Sequence, residues 1–531
     1  MSQIVESKEL CVAPSPIDEG FFQQQLDLRG LKLTPDGFVH WKPGNKRHPR
    51  NWSKLRKAHD VSVILLLEMF TYVALPLPWK KADNCRTLVS AAGSAAANAS
   101  HKEFNISKTV SIFLFVPMYL IGQGIGSIVF PPYSEAFGRK KLYIVSTAMY
   151  SLSCIIIAIV PSVAGVVVGR LLSGFLSAIP TNVVAGSIED MFNAKDRIWF
   201  LSLWMMLAPW GLALGPIYST YITYALNWRW VFYVAAIVTG FIACLLLGIR
   251  ESRPPLLLDQ EVRRLCQALG KETQTVVQSL NPDRIPDLRT FFTMALFRPI
   301  YLFFTEPIIF LVSIISAIPF TLIYMFTEAL PPIYQSFGMT PTHSCLPFLG
   351  LGLGCMLGML TRIHDYKLIV SHHRQRLPLR PEDKLLGFMI GSPVFALGLW
   401  LFAWTIPPAI TSVHWMVSTV ALVAIGYAAT EFGSVLTGYL ADSYLSYAAS
   451  GFAAQTILRT SMSAAFPLFA PAMFGSLGAN VAVSVLAAIA TVFCLVPPLF
   501  ARFGERIRAK SRFARYSLDV YNRITVDEEG F

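Results

Sequence analysis

Six ionisable residues interrupt long apolar runs of this 531-residue chain. A charge at the centre of a bilayer costs at least ~2.5–3.5 kcal/mol on insertion scales, so such residues are retained for a function or for a partner. An acid in apolar surroundings can exchange protons, and a basic residue can join helices or contact a bound molecule. The six residues are Glu68, Arg170, Glu306, Glu328, Glu431 and Arg459.

Each of these residues also has a purely structural interpretation. Arg170 can bind backbone carbonyls, Arg459 can tie helices together, and Glu328 can lie at the membrane surface. Glu306 lies near an end of its apolar run. From that position it can either line a cavity or form part of a gate. Glu68 lies near the middle of its run, so it is the acid that we most expect to line a cavity.

The apolar runs define the class of protein. About twelve segments of roughly 20 residues are long enough to cross a ~30 Å hydrocarbon core as helices. The chain is 54% hydrophobic and only 14% charged, whereas a soluble domain carries about 25% charged residues. The sequence therefore predicts an all-α, multi-pass membrane protein.

The spacing of the spans predicts five parts: residues 1–57, 58–250, 251–299, 300–501 and 502–531. They are a polar tail that we expect to be disordered up to the run HPRNW, a six-helix bundle, a polar linker, a second six-helix bundle and a second tail. The expected spans are 58–79, 108–130, 142–160, 163–189, 198–224, 228–250, 303–330, 343–364, 385–405, 411–440, 447–474 and 477–500.

Basic residues predict the orientation of the chain. Lys and Arg are concentrated in alternate loops and after the last span, whereas most of the intervening loops carry almost none. The positive-inside rule therefore places both termini in the cytosol. The exception is the external loop 80–107, which contains lysines and two glycosylation sequons, at Asn98 and Asn105. Asn105 lies near the membrane.

Several function classes are excluded by the residues that the sequence lacks. The net charge of +12 is spread over loops and tails rather than a nucleic-acid-binding patch. The eight cysteines form no CxxC pair, and His372 and His373 lack metal-site spacing, so we expect no metal. No GxxxxGK[ST], HExxH or GxSxG motif is present. We expect no cofactor and no enzyme activity.

The run PPYSEAFGRKK lies between the second and third spans. It resembles the loop that the major facilitator superfamily carries at this place, where an acid, a glycine and an arginine occur together. Gly138 and Arg139 match that pattern, Glu135 replaces its usual Asp, and Pro131 and Ala136 replace a Gly and a basic residue. This form is similar to the fungal drug:proton antiporter branch. A turn with an acid and a cation can lock helix ends in one state. The alternative is that its positive charges only determine the orientation of the chain in the membrane.

Further runs match the same branch in order. The fourth span resembles the antiporter helix that bears Arg170 and ends in an acid, Asp190. The fifth resembles the Gly-Pro antiporter motif, matching at Gly211, Gly215 and Pro216. Leu212 replaces its first proline, and Ser219 and Thr220 replace a glycine pair. The other matching runs are HPRNW, NWRWVFY, ESRPPLLL, RPIYLFFTEPIIF, YMFTEALPP, YLADSY, RTSMSAAFPLFA and FARFGERIRAKSRFA.

The Gly-Pro helix has a physical role of its own. Proline removes one backbone hydrogen bond and kinks a helix, and small residues allow a neighbouring helix to approach closely. Such a helix can seal a cavity or act as a flexing point, and ordinary tight packing is the alternative. Glu135, Gly138, Arg139 and Asp190, together with this helix, are the expected gate.

Aromatic residues make up 13% of the chain. A greasy cavity with a few polar groups suits bulky amphipathic or planar compounds, and an acid adds recognition of cations. The aromatics on spans that should border the cavity are Trp210, Tyr218, Tyr221, Phe320, Tyr324 and Phe326.

The resemblance covers almost all of residues 48–514 and implies two pseudo-symmetric six-helix bundles around a central cavity. It implies a monomeric plasma-membrane transporter that exports drugs, toxins or secondary metabolites in exchange for protons by alternating access. An importer of a nutrient such as a polyamine or vitamin remains an alternative, as does a membrane sensor. The expected cavity residues are Glu68, Arg170, Asn182, Glu306, Tyr324 and Glu431.

Overall fold

The computed structural model describes residues 19–33, 38–72, 104, 106–269, 278–279, 297–375, 380–410, 413–444, 448–511 and 513–515. In these residues the regular structure is helical apart from three short strands. The first half contains α1 (Glu19–Arg29), β1 (Leu31–Leu33), β2 (Phe38–Trp41), α2 (Lys54–Tyr72), α3 (Lys108–Phe115), α4 (Pro117–Phe137), α5 (Lys140–Ile159), α6 (Val163–Met191), α7 (Ala194–Ala225), α8 (Arg229–Leu246), α9 (Pro254–Leu269) and β3 (Gln278–Ser279). The second half contains α10 (Arg298–Thr305), α11 (Pro307–Ser336), α12 (Phe348–Leu357), α13 (Thr361–Gln375), α14 (Leu386–Thr405), α15 (Trp415–Tyr444), α16 (Ala448–Leu477), α17 (Ala479–Phe493) and α18 (Val496–Lys510).

Ten helical segments in this part of the chain are long and apolar enough to cross a membrane. Three of them join two helices each, as in Thr109–Phe137 and Ala479–Lys510. The helices α2 and α16 are not among the ten, but each coincides with a predicted span. α16 is 30 residues long, carries Arg459, and packs between α4 and α11. Its polar content reflects a position inside the protein rather than against lipid.

The helices form two packed groups. In the first, α4 packs on α6, α5 packs on α8, and α2 packs on α6, α7 and α8. In the second, α11 packs on α16, and α15 packs on both α12 and α14. The groups meet where α16 contacts α4 and where α7 contacts α12, α13 and α15. A site between the groups is therefore framed by α7 on one side and by α16 on the other.

Corresponding helix pairs in the two groups approach closely at glycines. A Cβ at Gly174 of α6 would overlap the backbone of Tyr119 in α4, and a Cβ at Gly426 of α15 would overlap the backbone of Leu351 in α12. Small residues at helix crossings let backbones pack without intervening side chains. The α4–α6 pair thus has a counterpart in α12–α15.

The N-terminal segment differs from the sequence expectation of disorder. α1, β1 and β2 pack against the linker helix α9 and form a small second core, separate from that of the bundles. β1 pairs antiparallel with β2, and β2 pairs in parallel with β3 from the linker. The core consists of Leu26, Leu31, Val39, Leu258, Val262, Leu265 and Cys266. We call this unit the tail–linker module.

An ion pair with a buried carboxylate joins the two parts of the tail–linker module. The carboxylate of Glu261 on α9 is 7% exposed and pairs with Arg47 of the N-terminal segment, and Arg29 lies 3.9 Å away. Neither the apolar positions nor the charges of residues 19–53 show a long periodic run. Their order depends on contacts with a helix more than 200 residues later, which a local pattern does not reveal.

Candidate functional site

A cavity of about 600 Å³, which includes space open to solvent, lies between the two helix groups. α2, α6 and α7 contribute residues from the first group, and α11, α15 and α16 contribute residues from the second. Apolar surface predominates on its walls, and eight of the fifteen lining residues have polar side chains. The lining residues are Glu68, Thr181, Asn182, Ala185, Trp204, Met205, Ala208, Ser316, Phe320, Gly433, Thr437, Phe452, Gln455, Thr456 and Arg459.

Glu68 is the acid of this cavity. Its side chain is fully buried, and the indole of Trp204 and the guanidinium of Arg459 are polar groups that act on it. Neither carboxylate oxygen accepts a hydrogen bond of ordinary geometry from the described residues. Burying an unpaired carboxylate is costly unless it binds a proton or a cation. Glu68 is thus a group that can take up either one from the cavity.

Asn182 joins the two helix groups through hydrogen bonds. Its Nδ2 donates to Ser127 Oγ at 2.9 Å and to Ala178 O at 2.8 Å within the first group. Its Oδ1 accepts from Thr456 Oγ1 of α16 at 3.3 Å. This contact crosses the cavity wall, so a relative movement of the groups would break or replace it.

Arg459 lies at the boundary of two cavities. Its guanidinium carbon is 4.7 Å from the ring centroid of Phe320, a cation–π distance. Both residues also line a smaller cavity that includes the predicted residue Tyr324. Arg459 therefore places a positive charge next to both a carboxylate and an aromatic surface.

Sequence reasoning missed the amide on the second group's side of the cavity. Gln455 Nε2 donates to Ser316 Oγ at 2.9 Å and lies 3.3 Å from Thr437 Oγ1. The sequence did contain a signal for Gln455, because it lies four residues before Arg459 and therefore on the same face of α16. Trp204 and Thr456, also missed, have no comparable signal in the sequence.

Arg170 lies away from these two cavities, inside the first helix group. It is 1% exposed, and its guanidinium carbon lies 4.8 Å from the ring centroid of Phe232, 5.4 Å from that of Phe115 and 5.8 Å from that of Tyr119. Tyr218 is another of its neighbours. The structure brings Arg170 and Tyr218 together in an aromatic cage instead of at the cavity wall.

Glu431 also lies away from the two cavities. Its carboxylate is fully buried and accepts hydrogen bonds from Thr361 and Arg362. Arg362 Nη1 lies 2.7 Å from Asp365 Oδ2, which completes a buried acid–base–acid cluster. The cluster ties the start of α13 to the middle of α15.

The remaining predicted residues of this set have separate positions. Glu306 lies between α10 and α11 and accepts a hydrogen bond from the hydroxyl of Tyr444 at 2.9 Å. Glu328 is half-buried near the other end of α11. Trp210 packs across the group boundary, because a Cβ at Gly352 would lie 3.1 Å from its Nε1.

The predicted gate residues Arg139 and Asp190 form a buried ion pair. Arg139 Nε lies 2.8 Å from Asp190 Oδ2, and Arg139 Nη1 donates to Val183 O at 3.0 Å. Arg253, from the segment after α8, lies 3.5 Å from the other oxygen of Asp190. The pair ties the start of α5 to the end of α6. Glu135 is half-buried, one turn before this junction.

Glu251 couples this junction to the linker, a contact that sequence reasoning missed. Its carboxylate accepts the backbone N–H groups of Arg139 and Lys140, each at 3.0 Å, at the start of α5. An acid suits this place because the first N–H groups of a helix lack partners. Gly138 has φ +96°, and a Cβ there would lie 2.7 Å from Glu251 Oε2. The glycine is thus required by both backbone conformation and space.

The Gly-Pro motif lies within one uninterrupted helix. α7 contains Pro209 and Pro216, and Gly211, Gly215 and Pro216 are buried. The hydroxyls of Ser219 and Thr220 donate to Pro216 O at 3.0 and 2.8 Å. These hydroxyls supply donors to a carbonyl near the proline.

Two other predictions concern modification and metal binding. The sequon residues Asn98 and Asn105 lie outside the described residues, and their glycosylation stays a prediction. In the part of the chain that the structure describes, no group of three or more His, Cys, Asp or Glu could hold a metal ion.

Known proteins resemble the chain in sequence. The sequence model of the Major Facilitator Superfamily matches residues 85–467. The MFS-type transporter penM of Penicillium rubens is 29% identical over 91% of both chains. Efflux pump FUBT of Fusarium oxysporum is 31% identical over 83% of this chain and 75% of its own length. Multidrug transporter TPO1_2 of Candida glabrata is 28% identical over 92% of this chain and 80% of its own length.

Solved structures resemble the chain in fold. The proton:xylose symporter XylE superposes with a TM-score of 0.57 at 14% identity, covering 85% of this chain and 96% of XylE. The human organic anion transporter MFSD10 superposes with a TM-score of 0.55 at 13% identity, covering 83% of this chain and 99% of MFSD10. The predicted all-α membrane fold and the predicted family are both confirmed. The chain belongs to the Major Facilitator Superfamily.

Proposed function

We propose that this protein exports small organic molecules in exchange for protons, by alternating access of one central cavity. One observation carries the proposal: Glu68, a buried carboxylate that accepts no hydrogen bond of ordinary geometry from the described residues, faces a cavity between two helix groups. An antiporter needs a group that binds either a proton or its substrate and is exposed to each side in turn. Glu68 has that chemistry and that position.

The relatives favour export over import. Two of them are named an efflux pump and a multidrug transporter, and each aligns with more than four fifths of this chain. The cavity is consistent with such cargo, because Trp204, Phe320 and Phe452 offer aromatic surface beside a carboxylate. Amphipathic or planar molecules that carry a positive charge would contact both kinds of group.

The two helix groups would be the moving parts. We assign residues 58–250 to one bundle and 300–501 to the other, with residues 1–57, 251–299 and 502–531 in the cytosol. The Asn182–Thr456 contact and the Trp210–Gly352 contact cross between the bundles. Rocking of one bundle on the other would exchange such contacts, as expected for transporters built from repeats.

The gate would be the junction of α5 and α6. The Arg139–Asp190 pair fixes one helix end to another, and Glu251 fixes the same end to the linker. Paired charges of this kind stabilise one state and are released in the other. In this proposal the junction lies on the cytosolic side of a plasma membrane, together with both termini.

The test is transport into inverted vesicles that contain the full chain. A proton gradient should drive uptake of a cationic aromatic dye such as ethidium, and a protonophore should abolish it. Uptake that survives the protonophore but requires ATP would refute proton coupling. Gradient-driven movement in the opposite direction would identify an importer, and would refute export.

A further inference from the structure

α10 is an eight-residue helix with an apolar surface that none of the described helices covers. One face, with Pro299 and Leu302, is buried, and α10 packs against α16. The other presents Ile300, Tyr301 and Phe304, which are 47%, 56% and 78% exposed. Phe297, just before the helix, is 66% exposed. Four large apolar side chains thus point away from the protein within eight positions.

The position of α10 places this surface at a membrane boundary. The helix ends at Thr305, and the extended backbone of Glu306 separates it from the membrane-spanning helix α11. Eight residues are too few to cross a bilayer. A short helix with aromatic side chains on its outer face, immediately before a span, is suited to the interface between acyl chains and headgroups.

The segment that follows the basic end of α18 lies beside α10. The ring of Tyr301 contacts that of Phe513, with centroids 6.0 Å apart. α18 continues a poorly buried span, and its Arg502 and Arg506 guanidinium groups lie 5.9 and 6.0 Å from the centroid of the partly exposed Phe503 ring. The exposed apolar residues of α10, together with Arg502, Phe503, Arg506 and Lys510 of α18, are called the basic–aromatic edge below.

The edge keeps a positive charge after its ion pairs are counted. Glu505 lies on the same helix, but its carboxylate pairs with Arg380 at 3.0 Å. Glu382 pairs with Arg508, which is turned toward the protein. Arg502, Arg506 and Lys510 remain exposed to solvent.

We propose that the basic–aromatic edge binds anionic phospholipids of the adjacent leaflet. The aromatic side chains would contact the upper acyl chains, and the arginines would bind the phosphate and a further negative group of the headgroup. Charge complementarity selects an anionic lipid over a zwitterionic one. The exposed apolar surface next to a span selects a lipid over a soluble partner. This proposal is independent of what the protein transports.

The experiment compares lipids on the purified full chain in mild detergent. Phosphatidylserine should raise the midpoint of thermal unfolding about twice as much as phosphatidylcholine, because a ligand of the folded state stabilises it. The double variant Arg502→Gln/Arg506→Gln should lose about half or more of the difference between the two lipids. Native mass spectrometry of the same samples should show retained phosphatidylserine on the wild type.

The matched control removes two exposed lysines from the N-terminal segment. Lys32→Gln/Lys46→Gln should respond to both lipids like the wild type, because these residues lie far along the chain from the edge and are exposed. Equal effects of the two lipids on the wild type would overturn the proposal. A full phosphatidylserine response in Arg502→Gln/Arg506→Gln, or its equal loss in the control variant, would overturn it as well.

Discussion

Glu68 and Glu431 are both fully buried acids in membrane-spanning positions, yet their surroundings differ in kind. Glu431 accepts hydrogen bonds from Arg362 and Thr361 and is remote from the described cavities. Glu68 faces a cavity, and neither of its oxygens accepts a hydrogen bond of ordinary geometry. One carboxylate is held by a fixed counter-charge, and the other is open to a mobile one.

The comparison shows why depth in the membrane does not identify a proton-binding residue. Burial of a carboxylate is costly in either place. A fixed arginine offsets that cost permanently, so Glu431 has little to gain from another cation. Glu68 has no arginine within ion-pair distance among the described residues, and Arg459 acts on it only from farther away, so part of the cost remains until something enters the cavity. Access to a cavity without a contacting ion pair is what favours Glu68 for the proposed transport role.

Glu68→Gln should have the largest effect on transport. The amide preserves size and polarity but cannot release a proton, so gradient-driven uptake into inverted vesicles should fall to the level of vesicles without the protein. The thermal unfolding midpoint should remain close to that of the wild type, because the variant removes an unpaired charge. Substantial gradient-driven uptake by Glu68→Gln would transfer the proton-binding role to another acid and erase the contrast with Glu431.

Glu431→Leu should instead act on stability. It removes the partner of Arg362 on α15, and because Arg362 keeps Asp365, the cost should stay below the about 3–5 kcal/mol of a buried ion pair that loses its whole counter-charge. A lower unfolding midpoint in detergent is the readout. The triple variant Glu431→Leu/Arg362→Met/Asp365→Asn should recover much of the loss, because it leaves none of the three charges of the cluster. A triple variant as unstable as the single one would show that the ion pair is not what Glu431 supplies.

The sequence was sufficient to predict the class, the family and part of the site. Apolar runs of bilayer length predict the spans without any knowledge of packing. Glu68 lies at mid-span, and it lines the cavity as expected. Arg139 and Asp190 were both expected in the gate, and the structure joins them directly.

Contacts between distant residues account for what the sequence could not predict. The partner of Glu431 is 69 residues away, so the sequence did not distinguish it from Glu68. The sequence also did not decide whether Arg170 lines the cavity or has a structural role, because its aromatic cage comes from three other helices and not from its own. The run LLLDQEVRRLCQALG has a helical pattern that predicts α9, but the rest of the tail–linker module was missed because α1 and the strands are short. Its core forms only when α9 meets the N-terminal segment.

Arg459→Lys should reduce transport without abolishing it. Lysine keeps the positive charge near Glu68 but loses the planar group that stacks on Phe320. The loss is about 1 kcal/mol, or roughly fivefold in apparent affinity for an aromatic substrate. Concentration-dependent uptake into inverted vesicles measures it. If Arg459→Lys behaves like Glu68→Gln, the guanidinium is required for coupling, and Glu68 does not act as an independent group.

The smallest effect is expected at His48. This residue makes the stability of the tail–linker module depend on pH, independently of Glu68 and Glu431. Burial, followed by the charges of Arg50 and Lys57, lowers the pKa of His48 from 6.5 to about 4. Its Nδ1 accepts the N–H of Arg50 at 3.2 Å, and its ring packs edge-on against Trp41 of β2. A folded-state pKa below the unfolded value means that the unfolded segment binds more protons. The stabilising contribution is therefore complete above about pH 6.5 and decreases as the pH falls toward 4.

Hydrogen exchange in β1 and β2 at pH 6.8 and pH 5.2 measures this contribution, after correction for the intrinsic rates. Protection should be lower at pH 5.2 in the wild type, and the change should be small because His48 is only half-buried. His48→Asn keeps an acceptor for the N–H of Arg50 but does not titrate, so protection in this variant should be equal at the two pH values. An equal decrease of protection in the wild type and in His48→Asn would show that a group other than His48 causes the pH effect. A pH profile of transport can be attributed to Glu68 only in a background, such as His48→Asn, where the tail–linker module no longer responds to protons.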